Sequence, residues 1–171
     1  MESGRSLWSD VEMKAVPPSQ EYWLSSEPRG PALEALLGYC AAMGSYCSLV
    51  DTFPHSKKGR EARERFLLAA KPHLLGIDDV SDWPGSGVIK GTVPLWRFTM
   101  GAGLLDVLVA ESKGLYDLRA PKLPEDLAVY RSDASVLLGS VAHEHMAWMN
   151  LTADERDDRR LGLVELRPKG R

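Results

Sequence analysis

The sequence predicts an α+β fold in which two N-terminal helices pack on a mostly antiparallel sheet of four to five strands. Apolar side chains recur every three or four residues between positions 31 and 50, and again in a thinner stripe between 56 and 71. This period is that of a helix face. Beyond residue 91 the apolar period becomes two, and turn residues separate the segments, as in antiparallel hairpins.

Composition indicates one folded domain. The chain of 171 residues carries 21 Lys and Arg against 24 Asp and Glu, a net charge of −3, and 44% of its residues are apolar. These values exclude strongly disordered and low-complexity chains. No apolar run approaches the roughly 18 residues that span a bilayer, and no signal-peptide pattern follows Met1. We therefore expect a single α+β domain over residues 31–166, in the cytoplasm and without membrane contact.

Both ends are expected to lack regular structure. Residues 1–30 are rich in Pro, Ser and Glu, which predicts an irregular N-terminal arm held on the body by Trp8, Tyr22 and Trp23. Residues 167–171 are basic and contain Pro and Gly, which predicts a frayed C-terminus.

The first helix is predicted from Pro31 to Val50, apolar on two faces and therefore central in the fold. Cys40 and Cys47 would lie about 10 Å apart along this helix, too far for a disulfide. Reduced, buried thiols favour the cytoplasm. The second helix is predicted from Ser56 to Lys71, ended by Pro72.

The strands are predicted in the second half of the chain. Leu95 to Met100 alternates with period two. After a glycine-rich turn, residues 104–110 fit either a strand or a helix, and the turn favours a strand. The clearest hairpin joins Leu127–Arg131 to Val136–Ala142, and Ala147–Leu151 adds a last strand.

Two acidic segments are candidate binding surfaces. Residues 78–85 place three aspartates beside Trp83, which predicts a loop whose indole anchors a partner. The EF-hand pattern of a calcium site is absent there. A second charged segment, Asp154 to Asp158, begins a short helix, because Thr152 and Glu155 match a capping box.

The segment His143-Glu144-His145 is the candidate for metal or acid–base chemistry. On a strand, His143 and His145 would lie on one face about 7 Å apart, which suits two metal ligands. Local sequence offers no third ligand, and the HExxH pattern is absent. Glu125 and Asp126 are adjacent and would point to opposite faces of a strand, which disfavours a two-carboxylate mechanism.

Nucleotide and nucleic-acid functions lack support. No GxGxxG, Walker A or GxSxG motif is present, so we expect no cofactor. The segment from Lys57 to Arg65 carries five cations and two carboxylates, but no aromatic residue interleaves with them and the chain is acidic overall. We therefore interpret this segment as a solvated helix face rather than a nucleic-acid site.

Three short motifs carry a resemblance to a family, across residues 92 to 155. They are Leu123-Pro124-Glu125-Asp126-Leu127, Tyr130-Arg131-Ser132-Asp133 and Ala142-His143-Glu144. This segment resembles uncharacterised bacterial proteins that are similar to the immunity partners of polymorphic toxins. The resemblance implies a binding module without catalytic residues. The sequence departs from the pattern at Ala134, where a turn glycine is usual.

The function predicted from the sequence is therefore non-enzymatic binding to another protein, of the immunity type that occludes a toxin or effector. The acidic composition favours a basic partner through steering. The alternative is a small metal-dependent enzyme that uses the segment from His143 to His145, with both imidazoles as ligands. The predicted partner-binding residues are Asp78, Asp79, Asp82, Trp83, His143, Glu144, His145, Asp154 and Asp158.

Overall fold

Alternating apolar residues build a sheet of eight antiparallel strands within residues 18–170, the part of the chain that the computed structural model describes. In chain order the strands are β1 (Gln20–Leu24), β2 (Tyr46–Val50), β3 (Leu74–Val80), β4 (Asp82–Trp83), β5 (Ser86–Gly87), β6 (Val93–Thr99), β7 (Glu125–Tyr130), β8 (Val136–Val141), β9 (Met146–Leu151) and β10 (Leu166–Pro168). The order across the sheet is β10-β1-β9-β8-β7-β2-β6-β3, and β4 and β5 form a separate hairpin.

In the described part of the chain, four α-helices accompany the sheet. They are α1 (Pro31–Met43), α2 (Arg60–Ala70), α3 (Ala102–Glu111) and α4 (Ala153–Arg156). Short 3₁₀ turns occupy Lys71–His73, Leu115–Asp117, Ala142–Glu144 and Arg159–Leu161. Helix α3 contacts both α1 and α2. None of the helices within residues 18–170 is long and apolar enough to cross a membrane.

The hydrophobic core lies between these three longer helices and one face of the sheet. A row of buried side chains crosses five neighbouring strands in register, and they all belong to the core. This row consists of Phe98, Cys47, Val129, Leu138 and Met149. From the helices, Leu36, Phe66 and Leu104 complete it, each fully buried.

The opposite face of the sheet is partly covered by the β4–β5 hairpin. A side chain at Gly85, in the turn of this hairpin, would come within 3 Å of Trp148 and Val141. Gly85 also has a φ of 82°, which glycine adopts without strain. The close approach holds the neighbouring Trp83 against the sheet.

The fold class is α+β, but the predicted arrangement of two N-terminal helices on four or five strands is wrong. The first error is in the helix predicted from Pro31 to Val50. It ends at Met43, and residues 46–50 form the buried strand β2. A strand that is buried on both faces is a continuous apolar run, which periodicity alone does not separate from a helix.

The second error is at residues 104–110, which form α3 and not a strand. Strand β6 already pairs with β2 on one side and β3 on the other. It therefore has no free edge for a following hairpin strand. Leu104 and Leu108, four residues apart, are instead buried on one face of a helix.

Three segments expected to be irregular carry strands. The predicted acidic loop over 78–85 is the end of edge strand β3 followed by the β4–β5 hairpin. Charged residues are common on edge strands because they discourage pairing with other chains. Gln20–Leu24, within the predicted arm over 1–30, forms β1. Strand β10 (Leu166–Pro168) pairs with β1 and extends into the predicted frayed end over 167–171. Trp8 lies outside the described residues.

Two predictions on the thiols and the second helix are confirmed. Cys40 and Cys47 are buried free thiols, and burial raises the pKa of Cys40 to about 12. Cys40 lies on α1 and Cys47 on β2, so the predicted spacing of about 10 Å along a single helix is wrong. Helix α2 is present, but it begins at Arg60, four residues after the predicted start, and ends at Ala70, one residue before the predicted end.

Candidate functional site

Polar residues gather at one end of the sheet, where β2 and β8 end and β7 begins. Asp51 and Thr52 follow β2, Glu125 and Asp126 open β7, and the turn Ala142–Glu144 follows β8. Since these strands are antiparallel neighbours, the three chain segments lie side by side. We call Glu125, Asp126 and His143 the carboxylate–imidazole cluster.

A β-bulge brings the two carboxylates of this cluster together. Ser48 pairs with Ala128, but Val50 pairs with Glu125, so β7 has one extra residue opposite β2. Asp126 lies in the bulge with a φ of 58°, the left-handed conformation typical of such bulges. The prediction that Glu125 and Asp126 point apart is therefore wrong. One ligand atom each from Glu125, Asp126 and His143 lie within 4.8 Å of one another.

Asp126 is held by two hydrogen bonds. The backbone N–H of Ala142 donates to Oδ1 at 2.8 Å, and the indole N–H of Trp83 donates to Oδ2, also at 2.8 Å. Glu125 accepts a hydrogen bond from the Thr52 hydroxyl. The residues Asp126 and Glu125 are 2% and 6% exposed. These bonds fix both carboxylates toward the turn that carries His143.

The residues of the predicted acidic loop separate in the structure. Asp78 forms an exposed ion pair with Arg97 at 2.7 Å, and Asp79 and Asp82 are exposed on β3 and β4. Trp83 is the member that reaches the carboxylate–imidazole cluster, through Asp126. Trp83 therefore lies near the turn that carries His143, and the three aspartates take no part in this contact.

The segment from His143 to His145 does not form a strand that presents two imidazoles on one face. His143 is in a 3₁₀ turn and its Nε2 lies 3.7 Å from Glu144 Oε1. His145 has a φ of 54°, and its ring lies 5.3 Å from the ring of Tyr116. Among the described residues, the group with metal-ligand spacing includes His143 but not Glu144 or His145.

The segment from Asp154 to Asp158 lies at the far end of β9 from this turn. Strand β9 separates the two by six residues, or about 20 Å. Asp154 is exposed on α4, whose predicted capping box between Thr152 and Glu155 is present. Asp158 caps the turn that follows and pairs with Arg160 at 2.7 Å. Hydrogen bonds from Arg160 lower the pKa of Asp158 to about 2.

A groove of about 700 Å³ lies beside His145. We call it the charged groove. It is lined by the segment before α1, by α2 and its N-terminal turn, by the end of α3 and by the connection to β7. The lining residues are Glu27, Arg29, Lys58, Ala62, Arg65, Glu111, Lys113, Tyr116, Asp117, Arg119, Ala120, Pro121, Lys122, Leu123 and His145.

Cations outnumber carboxylates in the charged groove by six to three. The carboxylates are all engaged, because Arg29 pairs with Glu27 and Asp117, and Arg65 pairs with Glu111. The other four cations form no ion pair with any described residue. These four are Lys58, Lys113, Arg119 and Lys122.

The floor of the groove contains the Tyr116–His145 ring pair. Tyr116 is 7% exposed, and its backbone N–H donates to Glu27 at 3.0 Å. Burial, followed by the nearby Glu27 charge, raises the pKa of Tyr116 to about 12. The phenol is therefore neutral, and the exposed member of the ring pair is His145.

A buried ion pair supports the groove from beneath. Arg63 lies 3.4 Å from Asp51, with side chains 5% and 7% exposed. Its guanidinium also donates to the carbonyl oxygens of Pro121 at 2.8 Å, Ser56 at 3.1 Å and Pro54 at 3.4 Å. Arg63 thus ties α2 to the groove wall, so the basic segment from 57 to 65 is not solvated throughout.

The sequence analysis missed the groove because its cations come from separate segments. Lys113, Arg119 and Lys122 are spaced along an irregular connection that shows no periodic pattern. The signal that was available is the excess of basic residues there, next to Tyr116. Comparison with protein-family models, with curated proteins and with solved structures finds no match. The similarity to immunity proteins therefore remains a prediction.

Proposed function

We propose that this protein is a non-enzymatic binding module that holds an acidic segment of another protein in the charged groove. The observation that carries the proposal is the set of four groove cations that form no ion pair within residues 18–170, beside the Tyr116–His145 ring pair. A partner that brings carboxylates would neutralise those cations and cover the rings. Of these residues, Tyr116 and Arg119 belong to the types that are enriched at interface hot spots.

The partner's charge is inferred from the groove and not from the whole chain. The net charge of −3 favours a basic partner, whereas the groove lining has a formal charge of +3, from six cations and three carboxylates. Local potential at the contact surface decides complementarity. We therefore propose an acidic segment. Occlusion of a toxin or effector, as in immunity proteins, is the form of binding that the resemblance implies.

The geometry does not favour the alternative enzyme built on the segment from His143 to His145. His143 faces the carboxylates of β7, whereas His145 contacts Tyr116 in the groove. The two imidazoles therefore face different groups, and they are not arranged to bind one metal ion together.

The experiment is a fluorescence-anisotropy titration of the full chain with a labelled deca-glutamate peptide. The test variant reverses two groove cations, Lys113→Glu with Lys122→Glu. Its matched control reverses two exposed lysines outside the groove, Lys71→Glu with Lys90→Glu, and changes the net charge equally. Exposed charge contacts contribute up to about 1 kcal/mol each, and each reversed charge also repels the peptide, so the groove variant should bind about tenfold more weakly.

Three outcomes would contradict the proposal. Deca-glutamate binding could be absent from the wild-type chain, or the two double variants could weaken binding equally. The third is tighter binding of a deca-thymidylate oligonucleotide than of the peptide, which would indicate a nucleic-acid surface. The proposal is supported if the Lys71→Glu, Lys90→Glu variant keeps the wild-type affinity for the peptide and the groove variant binds it more weakly.

A further inference from the structure

Two buried carboxylates at the end of the sheet lack a counter-cation. Asp126 and Glu125 are 2% and 6% exposed, and neither forms an ion pair with Lys or Arg within residues 18–170. Asp51, the neighbouring buried acid, does have such a partner in Arg63. Acidic side chains are almost never buried without a partner, because an isolated buried charge is strongly unfavourable.

The second observation is that one oxygen of Glu125 accepts no hydrogen bond within residues 18–170 and is not sealed from solvent, so it is open to an added ligand. The Thr52 hydroxyl donates to Oε1, while Oε2 accepts no hydrogen bond from a described residue. The ligand atoms of Glu125, Asp126 and His143 lie within 4.8 Å of one another. We propose that these three side chains bind a divalent transition-metal ion.

The donor set favours Zn²⁺ or Mn²⁺ over Ca²⁺ and Mg²⁺. Imidazole with carboxylates suits transition metals, whereas Ca²⁺ and Mg²⁺ prefer all-oxygen sites. Ligand atoms bound at about 2.1 Å from one ion lie at most about 4.2 Å apart. Only a small closure of the cluster is needed, and the side chain of His143, 47% exposed, is free to make it.

The hydrogen bonds to Asp126 suit a metal ligand. The N–H groups of Ala142 and Trp83 each occupy one lone pair of a different oxygen and orient the carboxylate, as outer partners do for metal ligands. A bound ion would connect the start of β7 to the turn after β8. That turn precedes His145 by one residue, so the ion would also steady one edge of the charged groove.

This inference rests on residues outside the groove lining and is tested apart from the proposed function. Isothermal titration calorimetry of the tag-free, chelator-treated full chain with ZnCl₂ alone should give one saturable site. The variant His143→Gln removes an exposed ligand without disturbing the buried hydrogen bonds. It should weaken Zn²⁺ binding at least about tenfold. The controls Glu144→Gln and His145→Gln should leave the dissociation constant unchanged.

A second measurement places the ion. Because Trp83 Nε1 lies 2.8 Å from Asp126 Oδ2, Mn²⁺ bound to the cluster should broaden the Trp83 indole N–H signal in NMR spectra. This broadening should precede that of the other indole signals and vanish in His143→Gln. Absence of a saturable Zn²⁺ site, binding that survives His143→Gln, or unselective broadening would each overturn the proposal.

Discussion

Replacement of Arg63 by Met tests the support of the groove in detail. The substitution keeps an apolar stem of similar length but removes the charge that faces Asp51 at 3.4 Å. Burial raises the pKa of Asp51, and Arg63 opposes this shift. Without Arg63 the buried carboxylate is unpaired, and breaking a buried pair in this way costs about 3–5 kcal/mol.

The unpaired Asp51 can take up a proton instead of staying charged, so the free energy of protonation is an upper limit on the electrostatic loss of stability in Arg63→Met. The ordinary pKa of Asp51 is 3.8, about three units below pH 7. Each unit corresponds to about 1.36 kcal/mol, so protonation of Asp51 at pH 7 costs about 4 kcal/mol. At pH 5 the same step costs about 1.5 kcal/mol. The folded-state pKa of the unpaired acid is raised, so the deficit of the variant should shrink as the pH falls toward the ordinary value.

The assay is urea unfolding of both chains at pH 7 and pH 5, followed by circular dichroism. With a slope of about 2 kcal/mol per molar urea, the midpoint of Arg63→Met should fall by about 1.5–2 M at pH 7. The matched control is Arg65→Met, two residues along α2, whose side chain is 63% exposed and whose loss should change stability little. A deficit under about 1 kcal/mol for Arg63→Met, or one that does not change with pH, would refute the reasoning.

Three further predictions concern other positions. The pKa of Asp158, about 2 in the native chain, should rise toward its ordinary value in Arg160→Gln, as measured by NMR titration. Because the folded-state pKa is lowered, the stability that Asp158 contributes is fully present above its ordinary pKa of 3.8 and is lost as the pH falls through about 2. A titration midpoint of Asp158 that is the same in Arg160→Gln would contradict the pairing. Gly114→Ala should weaken deca-glutamate binding, since the added methyl group would overlap the Arg29 guanidinium, and unchanged affinity would contradict that account of the groove wall. Ala134→Gly should raise the free energy of unfolding by up to about 1 kcal/mol, because position 134 has a φ of 66°; a lower urea midpoint would count against this explanation.

Local signals predicted the elements that depend on local contacts. Pro31 marks the start of α1, and the turn residues 132–135 between two apolar segments correctly predict the β7–β8 hairpin. Ala134, at the place where a turn glycine is expected, does occupy a left-handed turn position. These features follow from properties of a few consecutive residues.

The remaining features depend on contacts between distant segments. Strand β2 is central in the sheet, between β6 and β7, and four of its five residues are buried, a position that its own sequence does not reveal. The left-handed φ of Asp126 belongs to a bulge that forms only when β7 pairs with β2. The charged groove combines four separate parts of the chain. Sequence periodicity contains no information about such long-range pairing.

Site-specific photo-crosslinking in the native cell tests the central claim most directly. A photoreactive phenylalanine derivative would replace Arg119 in the groove or, as the control, Lys90 outside it. The account predicts a defined protein adduct from position 119, joined through an acidic segment, that is missing from position 90 and lost when Lys113 and Lys122 are changed to Glu. Equal adducts from both positions, no adduct from position 119, or an adduct through a basic segment would contradict it.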